Sequence, residues 1–285
     1  MSSAISLTPR FANQISDGAR DVARRLLRLD AELVRRGLAR SREHAVQLIA
    51  DGRVEVRGVA ASKAATSVDA DTPVRVRSDE DDPGYASRGG FKLAGALAAL
   101  PEITVHGRRC LDAGASTGGF TDVLLRAGAT EVRAVDVGYG QLDWRLQTDE
   151  RVRVHDRTNV RALTPSDIGG PVDLTVADLS FISLGVVLPA LVACTSASGD
   201  LLPMVKPQFE VGRERLGSGG VVRNPQHRAD AVVSVARAAA SLGRPAHGVI
   251  RSPLPGPSGN VEFFLWLRSG GVAMSEDEIA KAVIG

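Results

Sequence analysis

The sequence predicts an α/β fold: a doubly wound, mostly parallel, seven-stranded sheet preceded by a small α+β module. Three observations carry this expectation. Short apolar runs alternate with amphipathic stretches from Arg109 to Leu267, an acidic turn-prone stretch (Asp79-Glu-Asp-Asp-Pro-Gly84) stands before them, and the chain ahead of that stretch is short and rich in arginine. Strand signals alternating with helix signals lead to parallel strands covered by helices on both faces.

Size and composition are compatible with two domains. The chain has 285 residues, 44% hydrophobic and 24% charged, which is ordinary for a globular protein with a sizeable core. No apolar run approaches the roughly 20 residues of a membrane helix, and no secretory signal is visible. A cytoplasmic protein that requires no membrane is therefore expected. Cys110 and Cys194 lie far apart in apolar or small-residue surroundings and read as free buried thiols. The five histidines are scattered, so no metal site is expected. Nothing in the pattern fixes an oligomeric state.

Taken in chain order, residues 1–22 lack periodicity and read as a disordered extension, and residues 23–78 form the basic module. Leu29, Leu33 and Val34 mark one helical face ending near Gly37. Ser41 caps a second helix from Arg42 to Ala50, Asp51-Gly52 turns the chain, and Val54–Val56 and Val74–Val76 alternate as strands. Arg24, Arg28, Arg35, Arg36, Arg40 and Arg42 crowd this module, and guanidinium forks suit phosphate oxygens. These six, with Arg88 further on, are the candidate nucleic-acid contacts. Binding through them should weaken steeply with salt.

Residues 79–86 read as a linker, 87–270 as the α/β domain and 271–285 as a C-terminal helix or tail. The expected strands are Arg109–Asp112, Glu131–Asp136, Val152–His155, Val172–Asp178, Leu201–Val205, Gly248–Ser252 and Glu262–Leu267. The expected helices are Phe91–Leu100, Phe120–Ala127, Leu184–Ala193 and Arg228–Leu242. Ligands on such sheets bind at the carboxyl ends of the strands, where the strand order reverses.

The first strand leads into Asp112, Gly114, Ala115, Ser116, Thr117, Gly118, Gly119 and Phe120, where glycines permit a tight strand-to-helix turn and close approach to a ligand. The intervals do not fit G-x-G-x-x-G. The pattern D-x-G-x-x-x-G-G resembles the S-adenosylmethionine loop of Rossmann-like methyltransferases. Asp136, roughly 20 residues on, is placed to accept ribose hydroxyls. Asp156, after the third strand, is a candidate partner for an adenine amino group. Val211–Gly220 is glycine-rich and basic, as a loop closing over substrate would be.

Four charged residues fall at one edge of the predicted sheet: Lys92 in Ser87-Arg-Gly-Gly-Phe-Lys-Leu93, Asp178 in Val176-Ala-Asp-Leu-Ser-Phe181, Lys206 in Met204-Val-Lys-Pro-Gln-Phe-Glu210, and Glu262 in Ser258-Gly-Asn-Val-Glu-Phe-Phe264. In this order they resemble the Lys-Asp-Lys-Glu tetrad of FtsJ-type ribose 2′-O-methyltransferases. The segment from Leu29 to Gly58 resembles the S4 RNA-binding domain. From about Leu29 to Arg268 the chain is similar to the TlyA family of ribosomal RNA methyltransferases, with no departure at the tetrad.

The resemblance implies an S-adenosylmethionine-dependent enzyme that methylates a cytidine ribose in 16S or 23S rRNA, on ribosomal RNA or ribosomal subunits. Lys206 would face the 2′-hydroxyl, as neutral base or as charged stabiliser of the alkoxide, and the sequence leaves both open. Asp178 would orient it, with Lys92 and Glu262 completing the charge network. Two alternatives remain at this point: a non-catalytic RNA-binding or ribosome-assembly factor, and a membrane-active haemolysin, a label some members carry. The nucleotide and subunit modified are not legible.

Overall fold

A computed structural model describes residues 26–39, 41–77, 83–256 and 258–285. The expected N-terminal extension (1–22), the first part of the expected linker, and the candidate contacts Arg24 and Arg40 lie outside the described residues. The chain separates into two units, divided between positions 78 and 79.

In the first unit, helices Leu29–Arg35 and Arg42–Ala50 pack on a three-stranded antiparallel sheet of Val54–Val56, Val59–Ala60 and Val74–Val76. Ser41 caps the second helix by accepting from the His44 amide at 3.1 Å. Leu29, Leu33, Ala45, Leu48, Ile49, Val54 and Val68 form the core.

The second unit is built on seven strands: β1 (Arg109–Ala113), β2 (Glu131–Val135), β3 (Val152–His155), β4 (Val172–Ala177), β5 (Thr195–Val205), β6 (Ala246–Arg251) and β7 (Phe263–Leu267). Their order is β6-β7-β5-β4-β1-β2-β3, and β7 alone runs against the others. The main helices are α1 (Gly89–Ala99), α2 (Gly119–Arg126), α3 (Leu184–Cys194), α4 (Pro225–Ser241) and α5 (Glu276–Ile284).

Alternate strand residues feed two apolar layers, as the period of two requires. Leu111, Ala113 and Val135 pack with α3, α4 and α5, whereas Cys110, Val132 and Ala134 pack with α1 and α2. Both faces are thus buried, which is why the strands read as near-continuous apolar runs. The order reverses between β1 and β4, so the crevice beyond their carboxyl ends is the expected ligand position.

β5 differs from expectation by starting at Thr195 rather than Leu201. Its first residues are small and polar and give no apolar signal. The register to β4 shifts between Thr195 and Asp200, and the buried Arg244 guanidinium donates to the carbonyl oxygens of Thr195, Ser196, Ala197 and Gly199. A side chain more than 40 residues downstream in sequence completes this strand's irregular half.

Candidate active site

The loops after β1 and β4 meet at Gly114. Its φ is +87°, and a Cβ there would stand 2.6 Å from the Asp178 carbonyl oxygen. The Asp178 amide in turn donates to the Ala113 oxygen at 3.0 Å. Beside this junction Asp136 follows β2 and accepts from the amides of Ser116 (2.8 Å) and Gly138 (2.7 Å), drawing two loops together. Between them opens a cavity of about 490 Å³, lined by Gly114, Ser116, Asp136, Val137, Gln141, Asn159, Val160, Asp178, Leu179, Ser180, Phe181, Ile182 and Val187. That volume suits a nucleoside-sized ligand, and the mix of apolar walls with a few carboxylates and amides fits its chemistry.

The predicted cofactor residues divide between this wall and its support. Gly114, Ser116 and Asp136 line the cavity. Gly118 packs toward Leu142 and Leu146, Gly119 packs against Ser87 and Gly90, and Phe120 lies in the core against Phe264 with ring centroids 5.9 Å apart. Ala115 is buried, and the Thr117 carbonyl accepts from the Asp143 amide at 3.2 Å. Asp156 accepts from the Gly140 amide at 2.9 Å and is absent from the wall, where Asn159 stands instead. Sequence reasoning missed Asn159, Ser180 and Phe181. The available signal was position: each follows a strand end by a few residues.

Asp112 is fully buried behind the loop. One carboxylate oxygen accepts from the Thr121 hydroxyl at 2.7 Å, and the other has no partner among the described residues. Burial pushes its pKa up to about 7 from 3.8. The Thr121 hydrogen bond opposes this, and the negative charges of Asp178 and Asp136 add to it. Between about pH 4 and about pH 7 the native state therefore holds a proton that the unfolded chain has released. This stability is present below about pH 4 and is lost as pH rises through about 7, by at most ~4 kcal/mol at ~1.4 kcal/mol per unit. Asp112→Asn, which keeps an acceptor for Thr121, is expected to flatten the fall of Tm over that window. A variant whose Tm falls as steeply as that of the natural protein in calorimetry would remove Asp112 as the cause.

The tetrad assembles at the carboxyl edge as two ion pairs. Lys206, just after β5, places Nζ 2.6 Å from Asp178 Oδ1 and donates to Ser180 Oγ at 2.9 Å. Lys92, in the first turn of α1, places Nζ 2.6 Å from Glu262 Oε2, just before β7. Because β7 is antiparallel, its start shares the edge where the other strands end. Lys92, Lys206 and Glu262 are buried. Gly256 makes room for Glu262, since a Cβ there would stand 2.5 Å from Oε1.

Glu210 joins the two loops that carry the Lys206 pair. Its carboxylate accepts from Ser183 Oγ at 2.6 Å and from the Leu184 amide at 2.8 Å, at the start of α3. Burial pushes its pKa up, against the pull of these two hydrogen bonds. Sequence reasoning did not single it out. The Val211–Gly220 loop is tied at its middle, where Arg215 pairs with Asp230 at 2.9 Å, and at its far end, where Asn260 Nδ2 donates to the Gly220 oxygen at 3.0 Å.

The arginines of the first unit are organised by two buried acids. Asp30 pairs with Arg28 (3.0 Å) and Arg42 (2.9 Å), and Glu32 pairs with Arg35 (2.6 Å) and Arg36 (2.7 Å). Hydrogen bonds and charge from these guanidiniums hold both carboxyls at about 2, against the effect of burial. Arg28, Arg35 and Arg42 keep exposed side chains, so their forks are oriented rather than hidden. Arg36 departs from the expected role. Its side chain is only 19% exposed and also donates to the carbonyls of Thr72, Asp69 and Ala70, so it ties the helix to that turn. Arg88 immediately precedes α1 and is half-buried.

Comparison with known proteins gives the same division. Residues 85–269 match the profile of the FtsJ-like methyltransferase family, and residues 27–74 match the S4 domain. A Mycobacterium tuberculosis protein named 16S/23S rRNA (cytidine-2′-O)-methyltransferase TlyA is 61% identical over 245 residues, covering 86% of this chain and 91% of that one. Hemolysin A of Brachyspira hyodysenteriae is 34% identical over 239 residues, covering 83% and 98%. A solved Streptococcus thermophilus structure with a provisional haemolysin description has a TM-score of 0.71 at 36% identity, covering 91% of this chain and 96% of its own.

Proposed function

The chain belongs to the TlyA family of S4-bearing FtsJ-like methyltransferases, and we infer that it transfers a methyl group from S-adenosylmethionine to the ribose 2′-oxygen of a cytidine in ribosomal RNA. The observation that carries this reading is Lys206 Nζ, held between Asp178 Oδ1 and Ser180 Oγ while both partners line the cavity. S-adenosylmethionine, when bound, supplies a methyl already activated on a sulfonium sulfur. The protein's tasks are then to position the hydroxyl and manage its proton.

Asp136 is the group for the cofactor's ribose hydroxyls, with the Ser116 backbone beside it. Val137, Val160, Leu179 and Ile182 offer apolar walls for an adenine ring, and Asn159 takes the polar role first assigned to Asp156. Asp178 and Ser180 use two directions around Lys206 Nζ, leaving a third for the substrate oxygen. Nζ either takes the 2′ proton or, as the cationic partner of Asp178, stabilises the alkoxide as it forms. The Lys92–Glu262 pair fixes the opposite side of the site. Arg28, Arg35 and Arg42 supply the S4 domain's contribution to RNA phosphates, on naked rRNA or on a subunit.

The haemolysin-named relatives belong to the same family, and among the described residues no helix is long and apolar enough to cross a membrane. The deciding experiment transfers labelled methyl to rRNA and to purified subunits and digests the product with alkali, which cannot cut beside a methylated 2′-oxygen. Label is expected in alkali-resistant dinucleotides. Label in ordinary mononucleotides would move the chemistry to the base. No label on any RNA, with cofactor and RNA still bound, would favour the assembly-factor alternative.

A further inference from the structure

The α4 face of the catalytic edge carries two arginines that the mechanism does not use. Arg251 is the last residue of β6, paired in register with Phe263, next to Glu262. The Ser252 amide donates to the Glu262 oxygen at 2.9 Å, which fixes this strand end beside the tetrad. On β6, Ile250 packs with the α1–α2 layer and Val249 with the α3–α5 layer. Alternation therefore sends Arg251 to the α4 side, opposite Lys92. Arg228 stands near the start of α4 on that same side, and its Nε donates to the Val222 oxygen at 2.8 Å.

The surrounding loop is braced. The Val222 amide donates to Asn260 Oδ1 at 2.9 Å, Asn260 is buried, and its carbonyl accepts from the Gly256 amide at 2.9 Å. Burial and the neighbouring positive charge of Arg251 both hold the Arg228 guanidinium below its ordinary value, with no carboxylate contributing. The nearby acids are engaged elsewhere: Glu262 with Lys92, and Asp230 with Arg215 and Gln226. Arg228 and Arg251 thus stand on one face at one edge of the sheet, and among the described residues neither is paired with a carboxylate, an arrangement that suits an anion.

We propose that Arg228 and Arg251 form a phosphate subsite on the flank of the active site opposite Lys92, taking one backbone phosphodiester of the RNA next to the methylated nucleotide. This rests on the RNA-methyltransferase reading. The contact would hold the strand so that the target ribose meets Lys206, and it carries no sequence information of its own.

The test measures RNA affinity across a salt series, kcat and KM for RNA, and S-adenosylmethionine affinity, for Arg251→Ala, Arg251→Glu, Arg228→Ala and the double alanine variant. Among the described residues the Arg251 side chain has no hydrogen-bond or ion-pair partner to lose, so its variants are the clean arm should Arg228→Ala disturb the Val222 loop. Arg237→Ala is the control, nine residues and about 14 Å further along α4. Arg251→Ala should raise KM for RNA roughly tenfold, as loss of a charge-assisted hydrogen bond does, with cofactor affinity unchanged. The salt slope should fall by about one in total in the double variant, not by two, because both side chains serve a single phosphate. Wild-type affinity and slope in Arg251→Glu and in the double variant, or an equal effect from Arg237→Ala, would overturn the subsite. If the natural protein methylates no ribose, the reading beneath fails. If it does so and the arginine variants match it, the subsite alone fails.

Discussion

Replacing Lys206 with alanine should reduce methyl transfer by ~10²–10⁴-fold, the range that positioned proton-transfer groups supply, while cofactor and RNA affinities hold. Lys206 is not part of the cavity wall, so its removal leaves the binding surface in place. What disappears is the amino group 2.6 Å from Asp178. Asp178 as a whole keeps 22% side-chain exposure, in contrast to Glu262, so the fold should tolerate the loss of its partner better than it would at Glu262. The Lys92–Glu262 pair is a poorer first target. With Glu262 fully buried, removing one partner strands a buried charge at a cost of about 3–5 kcal/mol, and lost activity would be confounded with lost structure. Single-turnover rates with saturating cofactor and RNA measure the effect on chemistry directly. Lys206→Arg sharpens the result. Arginine stays charged and cannot act as a base, so substantial activity in that variant would assign Lys206 to alkoxide stabilisation. Loss of activity equal to that of the alanine variant would favour the base. Unchanged turnover in Lys206→Ala would remove the lysine from the mechanism altogether.

The sheet and the four tetrad positions were legible because each is a local signal. A strand buried on both faces reads as an apolar run, and a charge at the end of such a run stands out. The pairing within the tetrad was not local. Lys92 and Glu262 meet across 170 positions, and only the antiparallel β7 brings the start of that strand to the edge where the others finish. The early half of β5 was hidden for a related reason, since Arg244 satisfies its carbonyls from elsewhere in the chain. Charge counting overestimated the free arginines of the S4 domain. Asp30 and Glu32 look like a small minority in sequence, yet each is buried and engages two guanidiniums, and Arg36 is turned inward. Of the glycine-rich motif, Gly114 and Ser116 reach the cavity wall, while Gly118, Gly119 and Phe120 pack against protein, as most of a tight strand-to-helix turn does.

Gly114→Ala should fail differently from Lys206→Ala, losing cofactor affinity as well as rate. Two costs coincide at this position. The backbone has φ +87°, which an L side chain adopts with strain of ~1–3 kcal/mol, and the new Cβ would press on the Asp178 carbonyl oxygen at 2.6 Å and on Leu179 at 3.0 Å. A backbone carbonyl cannot swing aside as a long side chain can. Relief requires the whole Asp178–Ile182 loop to retreat, and that loop supplies one wall of the cavity together with both partners of Lys206. The expected result is at least tenfold weaker S-adenosylmethionine binding by calorimetry, with single-turnover rates reduced even at saturating cofactor. Gly140→Ala separates strain from clash, since Gly140 also has positive φ (+63°) but nothing lies within 4 Å of its would-be Cβ. If Gly140→Ala lowers Tm slightly and spares binding while Gly114→Ala abolishes it, the close approach of the two loops is what builds the site. If both variants bind alike, backbone strain accounts for the loss and the β1–β4 junction has no special role.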